Sequence, residues 1–157
     1  MAQVDSATFR ALCGRFATGV VIVTVDHGGT PTGMTANSFT SVSLDPPLVS
    51  VNIDRSADFH PVIAQAGAFA INVLDQGQES LSRRFAGPSV DPFQGVGYRR
   101  SDRGQIILGG VVAAIECEVF QRVDVGDHSI VVGRVVGGEA HDGRPLLYFR
   151  GGYHTLS

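Results

Sequence analysis

Hydroxyl and amide side chains are concentrated in one stretch of the chain, between positions 32 and 41. Its polar members are Thr32, Thr35, Asn37, Ser38, Thr40 and Ser41, and Gly33 lies among them. Such side chains are neutral hydrogen-bond donors, which suit the hydroxyls and phosphate of a ligand. Gly33 lacks a Cβ and would let a flat ring approach the backbone. A strand with one face in water has the same composition, so both interpretations stay open.

Two further segments carry groups that suit an anion. Ser56 or Asp58 could cap a helix over 56–66, with Arg55 adding positive charge at its N-terminus. Capping needs no ligand, so the pattern also fits a purely structural role. Arg84, at the end of a helical turn predicted over 79–85, could bind a phosphate together with its neighbours Arg83 and Phe85.

Histidines and aromatic residues supply the remaining candidates. His128 follows a Gly-Asp turn and could enter a ligand site, where an imidazole binds a carboxamide or donates a proton. His60, directly before a proline, is predicted to be a solvated turn residue. Tyr148, Phe149 and Tyr153 lie near the C-terminus and could stack on a planar heterocycle, although a hydrophobic closing strand has the same pattern.

The common catalytic motifs are missing. The chain has no GxGxxG between a strand and a helix, no GxSxG and no evident carboxylate pair. Cys13 and Cys117 lack metal-ligand spacing and are predicted to be two buried, reduced thiols; no metal is expected. The lack of these catalytic motifs suits an enzyme whose cofactor supplies the reactivity.

The elements that must position these groups are predominantly strands. Apolar and β-branched runs predict strands over 19–25, 31–39, 48–53, 68–74, 111–125, 129–140 and 146–149. Helical spacing predicts a short amphipathic helix over 5–18. Residues 87–104 are predicted to form a long irregular excursion. Tight glycine turns between successive strands favour a mainly β fold, an antiparallel barrel with a few peripheral helices.

Composition bounds the class of protein. The 157 residues fit a single domain over 1–157, and a net charge of −3 argues against general nucleic-acid binding. Every basic side chain is arginine, so any cationic phosphate contact must come from arginine. No leader pattern and no apolar run of about 20 residues is evident, which predicts a cytoplasmic protein.

Taken in order, the segments resemble the flavin reductase-like family, which has the FMN-binding split-barrel fold. The resemblance rests on FATGVVIVTV, GMTANSFTSVSLDPPLVSVNI, FAINVL, RRFAG, IECEV, GDHSIVVGRV and PLLYFRGGY. It covers nearly the whole chain. The run from Gly33 to Pro47 and the GDHSIVVGRV segment are its most specific parts.

The resemblance implies a homodimer with flavin near the subunit interface. Wrapping of the ribityl chain and the ring edge would fall to Gly33, Met34, Thr35, Ala36, Asn37 and Ser38. The ring would be lined by Ser50, Val51 and Asn52, largely through backbone. Ser56 and Arg84, with Phe85 adjacent, would meet the phosphate. His128 would act on the nicotinamide side of the flavin, and Gly152 and Tyr153 would lie near the dinucleotide.

The implied activity is hydride transfer from NADH or NADPH to FMN or FAD, which supplies reduced flavin to a flavin-dependent oxygenase component. Two alternatives remain at this stage. One is a flavin-binding electron carrier that ignores nicotinamides. The other is a non-enzymatic barrel that binds haem through His128, His60 or His141.

The sequence departs from the family pattern at one place. Relatives usually carry a proline and an alanine around positions 106–111, whereas this chain has QIILGGVV there.

Overall fold

The computed structural model describes all residues from 1 to 157 and is built mainly of strands. Its three helices are α1 (Ser6–Cys13), α2 (His60–Gln65) and α3 (Glu79–Ala86). The first six strands are β1 (Thr18–Gly19), β2 (Val21–His27), β3 (Thr30–Ala36), β4 (Thr40–Leu44), β5 (Pro47–Asp54) and β6 (Ala68–Val73). The others are β7 (Tyr98–Arg100), β8 (Ile106–Leu108), β9 (Ala113–Val125), β10 (His128–Ala140), β11 (Leu146–Phe149) and β12 (Gly152–Thr155).

One large sheet organises the chain. Its seven strands follow the order β3-β2-β6-β9-β10-β5-β4, and every pairing is antiparallel, as the sequence predicts. Smaller sheets are formed by β1-β11-β12 and by β7-β8. The predicted turn after β2 is confirmed, because Gly28 and Gly29 both have positive φ, a conformation in which glycine is favoured.

The sheet is buried on both faces along β2. Val23 packs in one apolar cluster with Val51, Phe69 and other residues, whereas Ile22 packs in a second cluster on the opposite face. Successive side chains of a strand point to opposite faces, so a strand covered on both sides needs apolar residues throughout. This double burial explains the continuous run GVVIVTV.

Two predictions about the N-terminal region are wrong. Helix α1 ends at Cys13 rather than near position 18, and none of its residues is buried. Cys13 is exposed, not a core thiol, whereas Cys117 is buried as expected. Burial, with the nearby Glu116 charge, raises the pKa of the Cys117 thiol to about 12, so this cysteine stays protonated.

The sequence predicts one strand over 31–39, but the strand ends earlier in the structure. Strand β3 ends at Ala36, and β4 begins at Thr40 as the far edge of the same sheet. The two strands therefore lie at opposite ends of the strand order, although only three residues separate them.

No helix in the structure is both long and apolar enough to cross a membrane.

The predicted excursion over 87–104 is more ordered than expected. Strand β7 within it pairs with β8, and Phe93 is buried with its ring centroid 4.9 Å from that of Phe85. Strand β8 is attached to the large sheet by side chains: Thr24 Oγ1 donates to Ile106 O at 2.7 Å, and Leu108 N donates to Asn72 Oδ1 at 2.9 Å.

Candidate functional site

A cleft of about 500 Å³ lies between β3, the segment that leads into α2, and the end of α3. Its volume is within the range of small-molecule sites. The charged residues that line it are Asp58, Arg84 and Asp91. Five predicted site residues meet here: Gly33, Met34, Ser56, Arg84 and Phe85.

Phe85 explains why Gly33 is a glycine. The Phe85 side chain is buried, and a Cβ added at Gly33 would lie 3.2 Å from Phe85 Cε1 and 3.1 Å from Val23 O. The flat ring that approaches this backbone in the structure is therefore the chain's own phenylalanine. Next to it, Arg84 is exposed and donates from Nη1 to Gln94 O at 2.8 Å. The remaining N–H groups of the guanidinium are available to an anion.

Two other predicted ligand contacts hold α3 in place. Thr35 Oγ1 donates to Ser82 O at 2.7 Å, which joins β3 to α3. The Ser82 hydroxyl, in turn, lies 2.7 Å from Tyr153 OH, and Arg83 stacks over the Tyr153 ring at 4.8 Å. Thr35 and Tyr153 thus fix the helix that presents Arg84, while Gly152 begins the same strand β12 as Tyr153.

Ser56 and its neighbours do not form the predicted helix cap. Helix α2 begins at His60 with Phe59 as its N-cap residue and no side-chain cap bond. Ser56 instead donates from both its backbone N and its Oγ to Asp54 Oδ1, each at 2.8 Å. Both bonds lower the pKa of the Asp54 carboxyl, and the bond from the Ser56 backbone contributes most. The His128 and His60 charges make smaller contributions in the same direction.

Arg55 also departs from its predicted place at a helix N-terminus. Its backbone N donates to Asp127 O at 2.9 Å, and its Nη1 donates to Gly126 O at 3.2 Å. Both bonds reach the turn between β9 and β10. Arg55 is therefore a link to that turn, and Arg84 is the arginine that lines the cleft.

A second group of predicted residues lies on the β3–β5 side, outside the cleft lining. Ser38 Oγ accepts from Asn52 N at 2.9 Å and lies 3.3 Å from Asn52 O, so the hydroxyl replaces a strand partner for Asn52. Asn37 and Asn52 are exposed, whereas the Val51 side chain is fully buried in the core. Ser50, opposite Thr40 in the register, and Ala36, the buried end of β3, complete this group.

His128 is the first residue of β10 and lies opposite Asp54 of β5. Its Nδ1 is 2.7 Å from Asp127 Oδ1, and its side chain is 43% exposed. A carboxylate only accepts hydrogen bonds, so Nδ1 carries the proton and Nε2 is left for another partner. His128 is not among the residues that line the cleft.

His60 is not the solvated turn residue that the sequence predicts. It is half-buried, and its Nε2 lies 2.7 Å from the hydroxyl of Ser129, which is itself buried. The Ser129 Oγ donates onward to Asp124 Oδ1 at 2.6 Å. The contact joins residues 69 positions apart, and no local pattern around His60 signals it.

An antiparallel β fold with a ligand-sized cleft is typical of a protein that binds a small molecule. The model of the flavin reductase-like domain matches residues 13–157. The chain belongs to this family.

Individual relatives agree over most of the chain. The flavin reductase of Pseudomonas putida is 46% identical over 153 residues, which cover 96% of this chain and 89% of the relative. The flavin-dependent monooxygenase reductase subunit HsaB of Mycobacterium tuberculosis is 38% identical, covering 97% of this chain and 83% of the relative. A probable flavin reductase of Rhizobium meliloti is 45% identical but longer, so that the match spans 96% of this chain and 49% of the relative.

Among solved structures, the NADH:FAD oxidoreductase SgcE6 of Streptomyces globisporus, in complex with NAD and FAD fragments, has a TM-score of 0.93 to this chain. The two are 37% identical, and the match covers 99% of this chain and 98% of that one.

Proposed function

We propose that this protein is a flavin reductase that oxidises NADH or NADPH and supplies reduced FMN or FAD to a partner monooxygenase. The observation that carries the proposal is the cleft lined by Arg84, in a chain whose relatives named as flavin reductases match it over nearly its full length. The name of HsaB, a reductase subunit of a flavin-dependent monooxygenase, favours an oxygenase as the partner.

The residues present fit the phosphate end of a flavin. Arg84 offers N–H donors in a fork that matches a phosphate, and only one of its nitrogens is bonded within the protein. Ser56 lines the same cleft, but its hydroxyl hydrogen points to Asp54, so Arg84 is the main side-chain donor in this proposal. Met34 and Phe85 supply apolar surface beside it.

The ring end of the flavin is proposed to lie on the β3–β5 side. There the exposed amides of Asn37 and Asn52 and the hydroxyl of Ser50 offer neutral donors, whereas the Ser38 hydroxyl donates to Asn52 O. A bound flavin supplies the hydride acceptor when a reduced nicotinamide is present. The protein's share is alignment: the Nε2 of His128 orients the nicotinamide carboxamide, and Gly152 and Tyr153 contact the dinucleotide.

The direct test is nicotinamide consumption by purified protein with added FMN and, separately, FAD. We expect flavin-dependent oxidation of NADH or NADPH that is many times faster than the mixture without protein. Comparison of the two flavins and of the two nicotinamides identifies the preferred pair. Flavin binding without oxidation of either nicotinamide would contradict the proposal and favour the electron carrier.

Replacing Arg84 by alanine tests the phosphate contact. A charge-assisted hydrogen bond contributes about 1.5–3 kcal/mol, so the dissociation constant for FMN should rise about 10- to 100-fold. Quenching of flavin fluorescence measures it. Arg134→Ala is the matched control, because Arg134 Nη2 donates to exposed Glu118 Oε2 at 2.6 Å and Arg134 does not line the cleft. Equal affinities in parent and Arg84→Ala would remove Arg84 from the site.

The proposal includes a split barrel that pairs as a homodimer. Ser38, beyond the end of edge strand β3, bonds to β5, which brings the two ends of the large sheet together. Large apolar side chains are exposed on α1 and on edge strand β4, with Leu44 93% exposed. A second copy would cover such surfaces.

Sedimentation equilibrium tests the pairing. We expect a particle of twice the 16.6 kDa of one chain, and dissociation in Leu44→Glu because a charge replaces an exposed apolar side chain at the proposed interface. A parent that sediments at 16.6 kDa at micromolar concentration would contradict the homodimer.

The proposal places the protein in the cytoplasm, where free thiols such as those of Cys13 and Cys117 stay reduced.

A further inference from the structure

Three hydrogen-bonded side chains connect α2 to the large sheet near His128. His60, the first residue of α2, contacts the Ser129 hydroxyl through Nε2 at 2.7 Å. The same hydroxyl donates to Asp124 Oδ1 at 2.6 Å. Ser129 is 4% exposed, so this contact is shielded from competition with water.

The direction of the hydrogen bonds follows from counting protons. A serine hydroxyl has one hydrogen, and Ser129 gives it to the Asp124 carboxylate, which can only accept. His60 Nε2 must therefore donate to Ser129 Oγ. The neutral Nε2–H tautomer and the imidazolium both do so, and the bond persists in either state of His60. The Ser129 bond lowers the pKa of the Asp124 carboxyl, with smaller contributions from the charges of Arg55 and His60.

The hydrogen bonds of His60, Ser129 and Asp124 fix one residue pair of the hairpin that β9 and β10 form. Ser129 and Asp124 are paired in the register, and His128 with Val125 is the next pair toward the turn. Successive residues of β10 point to opposite faces, so anchoring Ser129 inward turns His128 outward. The backbone and guanidinium of Arg55 hold the turn itself, through Asp127 O and Gly126 O.

The segment 54–60 thus joins two parts of the proposed site. It lines the cleft with Ser56, Asp58 and other residues, and through His60 it is bonded to the strand that presents His128. We propose that His60 is a positioning residue for the reductase reaction: acting through Ser129, it fixes His128 relative to the flavin cleft. The inference rests on the proposed function, because it assigns His60 a part in the nicotinamide half of that reaction.

The kinetic test separates positioning from flavin binding. His60→Leu removes the donor while keeping the bulk, and Ser129→Ala removes the middle hydroxyl. Each should slow reduction of bound flavin by the nicotinamide about 10-fold, since small misplacements of a catalytic group have large effects on rate. The flavin dissociation constant should stay within about twofold, because Arg84 and its helix are held by other contacts.

Two further variants decide whether the donor itself matters. His60→Gln keeps an N–H at a similar reach, so its rate should return to within about twofold of the parent. The double variant His60→Leu with Ser129→Ala should be no slower than either single one, because both remove the same link. An unchanged rate in His60→Leu, or an equal loss in His60→Gln, would overturn the inference. So would a flavin affinity that falls as far as the rate.

The ring resonances of His128 in an NMR spectrum give a readout that needs no activity. They are assigned by their disappearance in His128→Asn. We expect them to shift or broaden in His60→Leu and to match the parent in His60→Gln. His141→Leu is the matched control, since His141 lies beyond the other end of β10 and pairs with exposed Glu139. Unchanged His128 resonances in His60→Leu would overturn the inference, whereas a parent without nicotinamide oxidation would contradict only the proposed function.

Discussion

Replacing His128 by alanine should lower the rate of flavin reduction by the nicotinamide about 100-fold, with flavin affinity close to that of the parent. The Nδ1 of His128 lies 2.7 Å from Asp127 Oδ1, so in the neutral imidazole Nδ1 carries the proton and Nε2 is left as the acceptor. An acceptor of this kind can orient a carboxamide N–H and with it the hydride-bearing carbon. The hydride step itself needs no side-chain base, so the loss comes from alignment.

Stopped-flow reduction at saturating flavin measures this rate, and fluorescence quenching measures the flavin affinity of the same variant. His27→Ala is the matched control, because His27 is exposed at the far end of β2 beside the Gly28–Gly29 turn. If His128→Ala reduces flavin at the parental rate, His128 has no part in the reaction. A joint loss of rate and flavin affinity would instead move His128 into the flavin site.

The strand content of the fold could be predicted from local patterns, because burial determines those patterns directly. The first five residues of β2 are buried and nearly all apolar because both faces of the strand are covered there, and the glycines of the following turn have the positive φ that only they adopt easily. The pattern also predicted helix α1, but not its end at Cys13 or its exposure: Phe9 and Leu12 of its apolar face are exposed in the single chain. Periodicity reports that a face is apolar, not what covers it.

The candidate site was only partly predictable, because several of its contacts join distant positions. Ser56 has the residue type of a helix cap, but Asp54 two residues earlier competes for its hydroxyl and its N–H. His60 reaches Ser129 across 69 positions, and Thr35 reaches Ser82 across 47. Gly33, Ser56 and Arg84 line one cleft in the structure, whereas local reasoning from the sequence left each of them undecided.

Asn72 attaches strand β8 to the large sheet through its side chain. Asn72 is fully buried in β6; its Nδ2 donates to Ile22 O at 3.1 Å and to Thr24 Oγ1 at 3.0 Å, and its Oδ1 accepts from Leu108 N. Thr24 Oγ1 in turn donates a hydrogen bond to Ile106 O. The three-residue strand β8 pairs with β7 alone, so these bonds are what attach its backbone to the large sheet.

Replacing Asn72 by alanine should therefore lower the free energy of unfolding by about 3–5 kcal/mol, the sum of a buried N–H left without a partner and a cavity. Thr24→Val, which keeps the shape and removes only the hydroxyl, should cost about 1–2 kcal/mol. Urea unfolding measures both, and Gln76→Ala, at an exposed position just beyond β6, should stay within about 0.5 kcal/mol of the parent. A loss below about 1 kcal/mol in Asn72→Ala would mean that β8 is held by its apolar side chains alone, since Ile106 and Leu108 are both buried.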